Sequence, residues 1–174
     1  MKPALAFFAL GLSALILRGV ISAVLPPALR PDLGLVVVVA LGLHLPGAAG
    51  IVLAALLGYA TDVLTGSLLG HHALVFVVAF ALTRLAGAQL DLRRGLPVLF
   101  LVAALSASCG LLTVALARLF TGEAAWPALG RLLGQAGLDA VVAPLLLPLF
   151  AAVALRLSED DRRAVHLGPR RREA

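Results

Sequence analysis

Long apolar stretches separated by short polar breaks set the pattern of this chain. A helix needs about 20 residues to cross the roughly 30 Å hydrocarbon core of a bilayer, and several of the apolar runs approach that length. The pattern predicts helices over 3–25, 27–45, 48–64, 73–90, 97–120 and 136–157. Pro26 and Pro27 end the first. Arg30, Pro31 and Asp32 lie at the opening of the second, where a proline is tolerated in the first turn. Pro46 and Gly47 separate the second from the third. Thr65 to Gly70 reads as a turn with two glycines, and Asp91, Arg93, Arg94 and Gly95 read as a polar loop. Thr121 to Gln135 is mixed in character and, with Trp126, reads as an interfacial segment. Pro144 and Pro148 are expected to kink the sixth helix.

The run Leu33 to Leu45 is short for a span. Merging it with its successor would give five spans and one helix of roughly 30 residues with Pro-Gly in its middle. Charge bias favours six. With six spans and the N-terminus inside, Lys2, Arg93, Arg94 and the C-terminal arginines all share the cytoplasmic side, as the positive-inside rule asks. The expected architecture is all-α: a six-helix transmembrane bundle over 1–157, then a basic cytoplasmic tail over 158–174. The expected place is a membrane, with both termini cytoplasmic.

Composition supports lipid as the solvent. Hydrophobic residues make up 61% and charged residues 13%, against about 25% charged in soluble domains. A small water-soluble fold cannot hide that much apolar surface, and a soluble bundle would need polar stripes that Leu33 to Leu43 lacks. The Met1 to Leu25 stretch has no clean small-residue cleavage site and reads as a retained first span. A single cysteine, Cys109, excludes an intramolecular disulfide. The net charge of +5 is concentrated partly in Arg162, Arg163, Arg170, Arg171 and Arg172. Beside apolar spans, such a tail points to anionic lipid or a cytoplasmic partner rather than nucleic acid.

Ionisable groups inside a bilayer are expensive and point to function by default. Six spans would gather Arg18, Arg30, Asp32, Asp62, His71, His72, Arg118 and Asp139 near the outer face. Arg84 and His44 fall deeper or toward the cytoplasm. The cluster reads as an outward pocket or docking surface. It reads equally as snorkelling at helix ends, with structural pairs such as Asp62 and an arginine. No catalytic constellation is expected. Ser106 and Ser108 have no base nearby in sequence, and hydroxyls in spans usually bond back to their own helix. His71 and His72 would point about 100° apart on a regular helix, which disfavours a shared metal. No phosphate-binding loop is present, and no cofactor is expected.

Gly50, Ala54, Gly58, Asp62, Gly66 and Gly70 recur every four residues. While the chain stays helical, these form a flat face of small residues that lets another backbone approach; the helix is expected to stop near Gly66. The face would serve either a partner helix or packing within the bundle.

Within Arg30 to Leu74, RPDLGLVVVVALGLHLPGAAGIVLAALLGYATDVLTGSLLGHHAL, the chain resembles the bacterial rod-shape-determining MreD family. The resemblance rests on Pro31-Asp32 before an apolar helix and on the ordered set Gly58, Asp62, Gly66 and Gly70. It implies a non-enzymatic component of the machinery that builds the lateral cell wall. Such a component would bind the single-span protein MreC and connect to MreB, RodA and penicillin-binding protein 2. It also implies a fold similar to the substrate-binding membrane subunits of energy-coupling-factor importers. The alternative function is accordingly a substrate-binding subunit of a vitamin-type transporter. The scarcity of aromatics, with only Trp126 and Tyr59 besides the phenylalanines, weighs against that alternative.

Overall fold

A computed structural model describes residues 2–26, 30–66, 68–89, 95–121 and 129–166. These residues form six α-helices: α1 (Lys2–Val24), α2 (Leu33–His44), α3 (Gly47–Thr65), α4 (His71–Gln89), α5 (Gly95–Thr121) and α6 (Leu129–His166). Five of them are long and apolar enough to cross a membrane, and α2 is the exception.

At 12 residues, α2 extends only about 18 Å, well short of the hydrocarbon thickness. It starts later than the expected residue 27. Pro31 and Asp32 precede the helix rather than open it, and Asp32 is its N-cap, its side chain accepting from Leu35 N–H at 3.2 Å. A short polar residue takes one of the orphan donors of a first turn, which fixes where a helix begins. Every residue from Leu33 to Gly42 is buried. The sequence is apolar around the whole circumference, so the helix has no face for a polar surface and sits at the centre of the bundle. It packs against α1, α3, α4 and α6. Lipid tails are as apolar as valine, so what holds α2 there is close van der Waals fit rather than escape from water.

Two antiparallel hairpins, α3–α4 and α5–α6, make the most extensive helix contacts around it. The α3–α4 hairpin closes tightly because its facing positions are small. Gly50 meets the Phe80 ring, and Gly58 faces the backbone of His72 and Ala73. Gly50, Ala54 and Gly58 are all buried. The small-residue face of α3 is therefore occupied within the bundle and is not open to a partner. α3 ends at Gly66, which takes the left-handed conformation (φ 65°) and returns its N–H to the Asp62 carbonyl. Gly70, also at positive φ, lies outside the helix, so the four-residue spacing leaves the shared face at Gly66.

α6 departs furthest from expectation. It begins at Leu129, inside the segment expected to be interfacial, and runs 38 residues to His166 through Pro144 and Pro148. Each proline removes one N–H donor, yet the helix stays continuous; neighbouring helices in a bundle make such losses tolerable. At about 57 Å it exceeds a bilayer. Its apolar stretch covers Leu132–Ala152, and the expected tail begins as a helical extension of it. Arg162 and Arg163 lie in that extension, while Trp126, Arg93, Arg94, Arg170, Arg171 and Arg172 lie outside the described residues.

Candidate functional site

Successive helices run in alternating directions. Side chains near the C-terminal ends of α1 and α3 and the N-terminal ends of α2, α4 and α6 therefore gather at one end of the bundle. The polar residues there form two linked groups.

The first is built on Asp62, which is fully buried in the last turn of α3. Its carboxylate accepts from Gly70 N–H at 2.8 Å and from His72 N–H at 3.0 Å. His72 Nδ1 lies 2.7 Å from Asp62 Oδ1. A carboxylate only accepts, so Nδ1 carries the hydrogen. The aspartate thus binds the first turn of α4 and the loop before it, satisfying donors that a helix start leaves open. The neighbouring ring of His71 stands 5.1 Å from that of His72, and His71 Nε2 is buried without a hydrogen-bond partner.

The second group joins four helices. Arg18 of α1 pairs with Asp32 Oδ1 at 3.1 Å. The backbone N–H of Asp32 donates to Asp139 Oδ1 at 2.6 Å, and Ser106 Oγ donates to Asp139 Oδ2 at 2.6 Å. Asp139 is fully buried. Ser108 does bond back to its own helix, at Ala104 O, but Ser106 does not. Among the described residues, the arginine–aspartate ion pair found in this cluster is Arg18 with Asp32.

Two recesses open beside these groups. One, of about 160 Å³, is lined by Arg18, Asp32, His72, Ser106 and Gln135 among others, with Cys109 in its wall. The other, of about 440 Å³, is lined by Arg18, Arg30, Ser22, Thr61, Thr65 and Gln135 together with apolar neighbours. Arg118 is exposed in the last turn of α5 and lines neither. Gln135 was not among the expected site residues; it sits one helical turn before Asp139, on the same face of α6. At the other end of the bundle, Arg84 donates to Leu45 O at 2.7 Å and His44 Nδ1 lies 2.9 Å from Ala40 O. Arg84 thereby satisfies a carbonyl just past the end of α2. Among the described residues, no three His, Cys, Asp or Glu side chains stand close enough to hold a metal ion.

No match to a curated protein or to a solved structure was found. Residues 3–153 match the family of the rod shape-determining protein MreD. That match takes in α1 to α5 and the apolar length of α6, with both buried aspartates and both recesses. The chain belongs to the MreD family, whose role is in determining rod shape.

Proposed function

We propose that this chain is a non-enzymatic scaffold of the lateral wall-synthesis complex, held in the cytoplasmic membrane and bound to MreC. The observation that carries this reading is the family match across residues 3–153, in a chain whose helices are mostly long enough and apolar enough to span a membrane. Such a body works through helix surfaces and short connections. The polar pairs described above tie helices to one another, which suits a rigid platform. The small face of α3 is filled by α4, so an MreC transmembrane helix would meet outward apolar faces instead. MreB, RodA and penicillin-binding protein 2 would then be reached as members of the wider complex. Lys2, Arg93, Arg94 and the C-terminal arginines support cytoplasmic termini.

The test is co-purification in detergent with the MreC of the same cell. A stable complex is expected. A chain that stays alone when both proteins are folded and abundant sinks the reading. Labelling an N-terminal tag from either side of the membrane checks the orientation independently. The importer-type alternative gains little: Tyr59 is half exposed and lines neither recess.

A further inference from the structure

The larger recess lies between α1, α3 and the start of α6, with Arg30 contributed from the segment before α2. Arg18 and Arg30 both stand in its wall, and among the described residues no carboxylate does. The nearest compensation is Asp32, which pairs with Arg18 from the adjoining recess. That pair is close but poorly aligned: Arg18 NH1 is buried and has no hydrogen-bond acceptor. Arg30 donates through Nε to Leu25 O at 2.9 Å, and no ion pair to its guanidinium is found among the described residues. Of the two guanidinium groups in this wall, only that of Arg18 has a carboxylate partner among the described residues. An uncompensated cation among membrane helices is costly, and a planar fork of donors suits phosphate.

The rest of the wall narrows the chemistry. Ser22 donates to Gly19 O, Thr61 to Leu57 O and Thr65 to Thr61 O. These hydroxyl hydrogens are directed at the helix backbone, so the oxygens of Ser22 and Thr61 offer lone pairs to the recess. Gln135 adds an amide. Such a wall provides donors for an anion beside acceptors for hydroxyl groups. Leu64 is exposed and Gly19 has open space where a side chain would be, so the recess meets the apolar flank on which an acyl chain would lie. A volume near 440 Å³ falls in the usual range of small-ligand sites, about 300–1,000 Å³.

We propose that this recess binds an anionic phosphodiester lipid with a hydroxyl-bearing headgroup, the phosphate lying between Arg18 and Arg30 and the headgroup hydroxyls meeting Ser22 and Thr61. The site is independent of the scaffold reading, because it needs no protein partner.

The experiment follows thermal unfolding of the purified full chain in a neutral detergent. Phosphatidylglycerol, phosphatidylcholine with the same acyl chains, and sodium phosphate against sodium chloride at equal ionic strength are added separately. Phosphatidylglycerol is expected to raise the unfolding temperature saturably, with little response to phosphatidylcholine or inorganic phosphate. Arg30→Gln is expected to weaken the half-saturating lipid concentration about tenfold, the effect of losing a charge-assisted hydrogen bond. Arg30→Lys keeps the charge without the fork and is expected to retain part of the response, so it serves if the glutamine variant folds poorly. An equal response in Arg30→Gln and the natural chain, as the basic tail alone would give, overturns the site. So does an equal response to phosphatidylcholine. Saturable stabilisation by inorganic phosphate alone overturns the lipid assignment in favour of a free anion.

Discussion

Asp32 and Asp139 are 107 residues apart in sequence, yet the backbone N–H of the first donates to the carboxylate of the second at 2.6 Å. The contact fixes the start of the buried helix α2 against α6. It works because Asp32 has two jobs that do not compete. Its side chain caps α2 and faces Arg18, while its own N–H, outside the helix, remains to be satisfied. Asp139 fills that need and spends its other oxygen on Ser106.

Removing the Asp139 carboxylate should therefore loosen three helices together. Asp139→Ala leaves the Asp32 N–H and the Ser106 hydroxyl without acceptors, and each stranded buried group costs about 1–3 kcal/mol. The expected loss is about 2–4 kcal/mol, read by titrating the folded chain with SDS. Ser106→Ala strands nothing as severely and should cost about 1 kcal/mol. Asp139→Asn keeps an acceptor for Asp32 and should fall between the two. Unfolding of Asp139→Ala at the same SDS fraction as the natural chain would remove Asp139 from this role.

Asp62 is predicted to hold the α3–α4 turn rather than to serve a ligand. Its oxygens accept from the backbone N–H groups of Gly70 and His72 and face the His72 ring. Asp62→Ala should destabilise by about 3 kcal/mol, the sum of several stranded donors, and should expose the connection around Gly66 and Gly70 to protease. His72→Ala removes one of those bonds and should cost about 1 kcal/mol. Equal protease resistance in Asp62→Ala and the natural chain is the result that counts against this assignment.

How far the sequence could be read follows from the range of each interaction. Apolar runs between Pro26, Pro46, Gly66 and Gly95 mark the helices, because hydropathy and breakers act locally. Asp62, Asp32, Arg18 and Asp139 stand out because charge among apolar residues is conspicuous. What joins them is not local. Ser106 looked like a hydroxyl bonded to its own helix, as Ser108 is, and only the packing of α5 on α6 brings it to Asp139. The start of α6 was hidden by Gly130, Arg131 and Gly134, which resemble a loop in composition. Leu132 filling the space beside Gly110 is one tertiary contact that favours helix there. The face of α3 was legible as a face, but its occupant was not: a stripe of small residues looks the same whether its neighbour is a partner or the next helix.

That occupant gives a sharp contrast between glycines. A Cβ at Gly58 would come within 2.5 Å of the His72 carbonyl oxygen and 2.6 Å of the Ala73 nitrogen. Both are backbone atoms in the first turn of α4, held there by Asp62, so they cannot swing aside as a side chain can. Gly58→Ala should push α4 away from α3 and cost about 1–3 kcal/mol, the usual range for overpacking. Gly137 in α6 faces open space, with nothing within 4 Å of an added Cβ. Gly137→Ala should be neutral or stabilise by up to about 1 kcal/mol, since alanine is the better helix former. Gly66→Ala supplies a third kind of cost. It has room for the methyl group but holds φ at 65°, which should cost about 1–2 kcal/mol. SDS titration of the three variants side by side checks the order. A Gly58→Ala chain as stable as Gly137→Ala would mean that α3 and α4 are not in backbone contact at Gly58.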